Sequence, residues 1–310
     1  MSRFTERRFA PMLIRESQPF DDDGWIYELK LDGNRALAYL EEDRTELRNR
    51  KNRDVTALFP ELRDLYAFAK RPCVLDGELI ATTDGKPDFY KLQKRVMTSS
   101  PFRIELETAE NPVTFVAFDI LWLDGELLVD LPLAERKGLL AENITAQGHL
   151  ELATYIQGRG RDFFELVRQQ KQEGVVAKKL DGRYYMGKYA SVWAKFKVLQ
   201  EEEAVIVGYS LADGAPKDLY LGRYDGDSLV PCGKIYLGVS PAARRRVLEQ
   251  PKTDAPFPNA PEGVVWIEPT LVGAVKYLER TPQGGMRQPV FKGFRDDKAP
   301  RDCVLRPPQA

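Results

Sequence analysis

In residues 24–40, GWIYELKLDGNRALAYL, apolar and polar positions alternate on both sides of an Asp-Gly pair, which predicts two strands flanking a turn. In the first run Trp25, Tyr27 and Leu29 share one face, while Ile26, Glu28 and Lys30 share the other. The period then lengthens. In ELRNRKNRDVTALFPELRDLYAFAKR, Leu58, Leu62, Leu65 and Phe68 recur at helical spacing, predicting a strand end, a basic loop and an amphipathic helix. CVLDGELIAT reads as strand, turn, strand; DFYKLQKRVM as a helix; VTFVAFDILWLDGELL as a buried strand followed by a hairpin. LPLAERKGLLAENI and RDFFELVRQQKQEG predict two further helices, with Gly174 as C-cap of the second. GVVAKKLDGRYY and SVWAKFKVL return to strand patterning, the Asp181-Gly182 pair reading as an ordinary hairpin signal. Strands and helices mixed around antiparallel hairpins describe an α+β unit rather than a doubly wound sheet.

Near residue 200 the pattern shortens. EEEAVIVGYS, DLYLGRYDGDSLVPCGKIYLG and VVWIEPTLVGAVKYLER read as short strands with close turn signals, separated by one charged helix, PAARRRVLEQ, and a Pro-rich loop. A small β-barrel of roughly 100 residues with an interposed helix fits this pattern, and the OB fold is one such architecture. The boundary is placed at Gln200, giving domains 1–200 and 201–310. A chain of 310 residues is near the upper limit for one core, so two domains are also what length predicts.

Composition narrows the chemistry. With 43% hydrophobic and 30% charged residues the chain is an ordinary globular protein. No apolar run approaches the roughly 18 residues of a membrane span, and MSRFTERRFAPML lacks the apolar stretch of a secretion signal. Cys73, Cys232 and Cys303 are odd in number and scattered, which suits a reducing cytoplasm and idle thiols. His149, the single histidine, is read as structural, so histidine-dependent triads, His-rich metal sites and His proton shuttles are excluded. A net charge of −1 gives no global attraction to nucleic acid, which would have to be held by a local basic patch.

The tetrapeptide KLDG occurs twice, at Lys30–Gly33 and at 179–182. A lysine two residues before Asp-Gly is either a covalent nucleophile or the charged end of a strand. A lysine amine is neutral only about one part in a thousand near pH 7.4, so a nucleophilic one needs cations around it. Arg35, Arg50, Lys178, Lys195 and Lys197 are candidates, with Glu28, Glu78 and Glu173 as carboxylates for a metal or a ribose. Such a set suits phosphoryl or nucleotidyl transfer, where positioning and charge neutralisation dominate. K-x-D-G alone is weak, arising by chance in about one chain in ten or twenty of this length.

The order of the downstream motifs strengthens the first copy. ELKLDGNR, RNRKNRD, LDGEL, FVAFDIL, EGVVAK, WAKFK and FRDDK follow one another as in the ATP-dependent DNA ligases, which the chain resembles from about residue 10 to 300. The compact domains and FPEL, DFYKLQKR and RQPVFKGFRDDK look most like the bacterial ligase C and ligase D group. The resemblance implies an α+β, ATP-grasp-like nucleotidyltransferase domain with antiparallel sheets and flanking helices, followed by an OB-fold domain. It implies Lys30 as the nucleophile toward the α-phosphate of ATP, Arg35 at the ribose, Glu28 reading adenine and Phe118 stacking on it. It further implies Glu78 in the ribose and metal region, Glu173 as a metal-binding carboxylate, Lys178 close to the phosphates, and Lys195 and Lys197 holding the α-phosphate. Arg50 would hold the nick 5′-phosphate, while Arg295, Asp297 and Lys298 would orient the leaving pyrophosphate when the OB domain closes. Implied cofactors are ATP and Mg²⁺ or Mn²⁺. Implied partners are nicked duplex DNA and a Ku-like end-binding protein or repair polymerase, for a monomer in the bacterial cytoplasm at the nucleoid.

One departure stands out. Asn49, Lys51 and Asn52 replace the family's Ser, Asn and Gly around Arg50; losing the glycine alters a tight loop, while Lys51 adds charge for phosphate contact. Taken singly, Glu78 and Glu173 are residues of solvated turns, Phe118 is core, and Lys195 and Lys197 form a solvated strand face. Arg244, Arg245 and Arg246 either contact DNA phosphates or cover a helix, and Trp25, Trp122 and Trp193 are core rather than base platforms. Rival readings are an RNA ligase or GTP-using capping enzyme, and a catalytically inert nucleic-acid-binding module.

Overall fold

The computed structural model describes residues 4, 6–281 and 284–305, so the opening stretch read against a secretion signal lies partly outside the described residues. Two compact units are present, Met1–Val198 and Leu199–Ala310. Among the described residues no helix is long and apolar enough to cross a membrane.

The first unit contains, in chain order, β1 (Leu13–Glu16), β2 (Trp25–Leu29), β3 (Asn34–Leu40), β4 (Thr45–Asn49), β5 (Cys73–Thr83), β6 (Lys86–Pro87), β7 (Val113–Leu123), β8 (Glu126–Leu127), β9 (Leu150–Leu152), β10 (Tyr155–Gln157), β11 (Gly174–Lys179) and β12 (Tyr189–Lys197). Its helices are α1 (Phe89–Met97), α2 (Pro101–Glu110), α3 (Leu133–Asn143) and α4 (Gly160–Gln169). One sheet runs β1-β12-β11-β2-β10; a second runs β4-β3-β5-β7-β8, with β6 on β5 and β9 parallel to β7. Apart from β1 with β12 and β7 with β9, the strand pairs are antiparallel. A core of Met12, Leu37, Tyr39, Val74, Leu121 and Trp193 joins the facing sides of the two sheets. The outer side of the first sheet buries Tyr27, Val175 and Phe196 beneath Phe163, Phe164 and Val167 of α4.

Several elements differ from the sequence expectation, each for a local reason. β2 and β3 flank the Asp32-Gly33 turn yet belong to different sheets, so this turn crosses from one sheet to the other instead of closing a hairpin. CVLDGELIAT is one continuous strand, β5, because Asp76 is buried against Arg35 and Tyr184 and gains more there than in a solvated turn. Leu58 to Phe68 forms three short 3₁₀ turns rather than an α-helix: Phe59 N donates to Thr56 O at 3.1 Å and Leu62 N to Phe59 O at 3.0 Å. Pro60 has no N–H to give and its ring would meet the carbonyl of Thr56 in a continuing helix. Leu62 and Leu65 are buried all the same. The C-cap of α4 is Gln170, followed by Lys171 at φ 56°, with Gln172 N donating to Val167 O at 3.1 Å in a Schellman arrangement. Gly174 instead opens β11, where a Cβ would lie 2.0 Å from Phe196 O. The chain between β11 and β12 spans 180–188, longer than the tight hairpin read from Asp181-Gly182. α2 had no counterpart in the sequence pattern.

The second unit comprises β13 (Gln200–Ala212), β14 (Ala215–Asp225), β15 (Ser228–Ile235), α5 (Pro241–Leu248), β16 (Val264–Tyr277) and β17 (Val290–Phe294). The antiparallel sheet runs β15-β14-β13-β16-β17, and a bridge between Leu237 and Val290 draws its two ends together as a half-barrel of the expected OB type. Glu202 gathers Arg223, Arg280 and the Tyr277 hydroxyl. Cys73, Cys232 and Cys303 are buried free thiols.

Candidate active site

The crevice between the two sheets of the first unit holds a pocket. One wall carries Glu28, Lys30, Val176, Lys178 and Trp193; the other carries Arg35, Glu78 and Phe118. Lys30 follows the last residue of β2, and its N–H donates to Gly174 O at 2.9 Å. Its Nζ lies 2.6 and 2.7 Å from the two oxygens of Glu173. Gly33 lets the crossing turn run against β5, since a Cβ there would sit 2.3 Å from Leu79 O. The second KLDG has no such setting: Lys179 Nζ pairs with exposed Asp181 at 3.1 Å.

Around Lys30 the charge is dense. Lys195 and Lys197 share one face of β12, as the sequence alternation requires. Partial burial, then Lys197 and Lys30, lower the pKa of Lys195. Glu78 stands opposite Arg35 in the β3–β5 register. Desolvation raises its pKa to about 8, against the pull of Lys30 and Arg35 and with the push of Glu173. Arg35 is fixed from three sides: Nε and an NH2 group reach Asp76 at 2.9 and 2.5 Å, and the other reaches Met12 O at 2.7 Å. Burial is the largest influence and opposes its charge, but Asp76, Tyr184 and Glu78 together hold the guanidinium above its ordinary pKa.

The other end of the pocket is aromatic and sets one carboxylate between two ammonium groups. Glu28 is 3% exposed, with Lys178 on one carboxylate oxygen at 2.6 Å and Lys137 of α3 on the other. Lys178 Nζ sits 4.1 Å from the centre of the Phe118 ring and 4.3 Å from that of Trp193. Its pKa falls to about 8, burial outweighing Glu28. Lys178, which the sequence reading placed close to the phosphates, meets Glu28, Phe118 and Trp193 here. Trp193 is core, as read, and also lines this pocket.

Asp76, Tyr184 and Lys137 were missed by sequence reasoning. Tyr184 OH donates to Asp76 at 2.6 Å and accepts from Met12 N at 2.8 Å, completing the clamp on Arg35. Asp76 had a readable signal, an acid inside an apolar run, but its Asp-Gly context suggested a turn. Lys137 had none, since its partner lies 109 residues away.

Arg50 is exposed in the turn after β4. The substituted loop keeps a tight backbone: Asn52 adopts φ 58°, and the Asn49 side chain accepts from Lys51 N at 2.9 Å and Arg53 N at 3.1 Å. Asparagine tolerates the left-handed region better than other non-glycine residues, so the lost glycine leaves the turn intact. Arg295, Asp297 and Lys298 lie in the second unit, where Arg295 pairs with Asp297 at 2.8 Å and Glu203 at 2.6 Å. Arg246 is engaged by Asp296. Among the described residues, no three acidic, His or Cys side chains converge as a ready metal-ligand set.

Residues 11–197 match the model of the ATP dependent DNA ligase domain, and residues 212–298 that of the ATP dependent DNA ligase C terminal region. The chain belongs to the ATP-dependent DNA ligase family. It is 34% identical over 314 residues to the multifunctional non-homologous end joining protein LigD of Mycolicibacterium smegmatis, covering 96% of this chain and 39% of that protein. It is also 31% identical to the SPbeta prophage-derived DNA ligase-like protein LigB of Bacillus subtilis, covering 92% of this chain and 98% of that one. This ligase therefore spans about two fifths of the LigD relative. Among solved structures it matches the ligase domain of M. tuberculosis LigD at 30% identity and TM-score 0.56, covering 96% and 98% of the two chains. A mycobacterial DNA ligase D complexed with ATP and MES matches at 31% identity and TM-score 0.57, with the same coverage. The nucleotidyltransferase fold and the OB-type C-terminal unit are those of ligases.

Proposed function

We propose that this ligase seals 5′-phosphate/3′-hydroxyl nicks in duplex DNA through a lysyl-AMP intermediate on Lys30. The observation that carries the reading is the position of Lys30: its amine pairs with Glu173 in a pocket also lined by Glu78, and its charge acts on both Glu78 and Lys195. A nucleotide has an anionic tail and a flat, hydrogen-bonding base. The lysine-rich end of the pocket suits the tail; the Phe118, Glu28 and Lys178 end suits adenine, with Arg35 and Glu78 between them at the ribose. The Lys30 ammonium first gives up one proton to solvent. The neutral amine then attacks the α-phosphorus, forming the N–P bond and breaking the bond to pyrophosphate, and a second proton leaves the nitrogen for solvent or the departing pyrophosphate. The ion pair of Lys30 with Glu173 opens in that sequence, while Lys195 and Lys197 neutralise the charge developing on phosphate oxygens. AMP then passes to the DNA 5′-phosphate, positioned by Arg50, and the 3′-hydroxyl displaces it.

Two carboxylates without a third fit a cation that also takes phosphate oxygens, so Glu78 and Glu173 are the residues that would hold Mg²⁺ or Mn²⁺. Bound there, the ion screens phosphate charge. Arg295, Asp297 and Lys298 orient the pyrophosphate in the same reading. The LigD relatives support a role in DNA break repair, for a cytoplasmic monomer acting beside a Ku-like protein or a repair polymerase. The test is nick sealing on DNA, RNA and mixed strands, each with ATP, GTP or NAD. Sealing of DNA with ATP is expected; adduct formation with GTP and no sealing of DNA would favour a capping-type enzyme, and no adduct with any nucleotide would leave a binding module.

A further inference from the structure

The buried carboxylate of Glu28 is held by two ammonium groups from different elements. Lys178 comes from β11, the strand beside β2; Lys137 comes from α3, 109 residues away. Both lie almost wholly inside, at 1% and 9% exposure. Burial brings the pKa of Lys178 down to about 8. Lys137 is covered by the ring of Tyr155, 5.3 Å away, on β10, whose register places Tyr155 opposite Glu28.

An ionised carboxylate accepts hydrogen bonds and donates none, and each of its oxygens accepts more than one. With one site on each oxygen taken by an ammonium, Glu28 still offers acceptors to the pocket. That favours a base edge bearing an exocyclic amine and opposes one bearing a keto oxygen. The preference depends on the Glu28 carboxylate, 3% exposed, being fixed in rotation by its two ion pairs.

We infer that Lys137 is a positioning residue for nucleotide selection, holding the Glu28 carboxylate in the orientation in which the pocket takes a 6-aminopurine nucleotide. The inference rests on the proposed binding of the base at this end of the pocket. No sequence motif singled out Lys137, and its ion pair is with Glu28.

The experiment measures transfer of label to the full chain from α-labelled ATP, GTP and purine riboside triphosphate, the last lacking the exocyclic amine. Wild type should strongly prefer ATP. In Lys137→Met, KM for ATP should rise about tenfold, kcat should stay within about threefold, and the preference for ATP over purine riboside triphosphate should shrink about tenfold. Lys137→Arg should restore most of that preference, and Lys137→Gln, which keeps a donor without the charge, should fall between. If Lys137→Met does not fold, Lys137→Gln and Lys137→Arg are compared alone. Equal losses for both nucleotides, with the ratio unchanged, would overturn the inference while leaving the ligase reading intact. Absence of label on wild type with ATP would overturn the ligase reading itself.

Discussion

Glu78→Gln isolates the electrostatics of the crevice. The carboxyl rises from its ordinary 4.5 to about 8 because desolvation exceeds the attraction of Lys30 and Arg35. Between those two values the unfolded chain has released a proton that the folded chain retains. Folding then takes up a proton, so stability falls as pH rises through the window and the loss is complete above about pH 8. At about 1.4 kcal/mol per pH unit, the ceiling is roughly 5 kcal/mol, and water entry into the crevice brings the working expectation to about 2–3 kcal/mol. The amide of the variant has no such proton. Urea unfolding followed by tryptophan fluorescence reads mainly the first unit, which holds Trp25, Trp122 and Trp193. Wild type and variant should agree near pH 5, and the variant should gain by about 2–3 kcal/mol at pH 8.5. A difference constant to within about 0.5 kcal/mol across that range, or a wild type that gains with pH, would refute the reasoning.

Other consequences follow from packing. Asp76→Ala strands the Arg35 guanidinium and the Tyr184 hydroxyl, and should lower stability by about 3–5 kcal/mol; a loss under about 1 kcal/mol in the same urea assay would mean that Arg35 finds other partners. Gly33→Ala pushes a methyl group to 2.3 Å from Leu79 O and should displace Lys30, abolishing adduct formation in a labelling assay, whereas normal labelling would show that the crossing turn yields freely. Asn52→Gly should keep nick binding within about twofold, while Asn52→Val, forced to φ near 58°, should weaken it by about fivefold or more; equal binding by both would detach the loop conformation from Arg50.

The tripeptide LDG shows what the sequence can and cannot specify. It occurs four times. Asp124-Gly125 makes the two-residue hairpin its composition suggests, with φ of 46° and 95°. Asp32-Gly33 crosses between sheets, Asp76-Gly77 lies inside a continuous strand, and Asp181-Gly182 begins a longer connection. Local propensity is the same in each; partners far along the chain decide the outcome, such as Arg35 for Asp76 and Leu79 for Gly33. Alternation placed Glu28 with Lys30 and Lys195 with Lys197 correctly, because a strand's period fixes its faces. The burial of Leu62 and Leu65 was legible as well, but not their 3₁₀ geometry, which Pro60 imposes. Motif order tells which strand Lys178 rides on; its pairing with Glu28 over the Phe118 ring is set by packing between strands. The second unit's strand texture was legible because each strand is bounded by turn residues.

Everything proposed for this ligase depends on Lys30 being the residue that becomes bonded to AMP. Incubation of the purified chain with ATP and Mg²⁺, followed by proteolysis and mass spectrometry, should place a single adenylate on the peptide containing Lys30, and Lys30→Ala should carry none while Lys179→Ala is modified like wild type. An adenylate on the peptide containing Lys179, or on a folded Lys30→Ala variant, would contradict it.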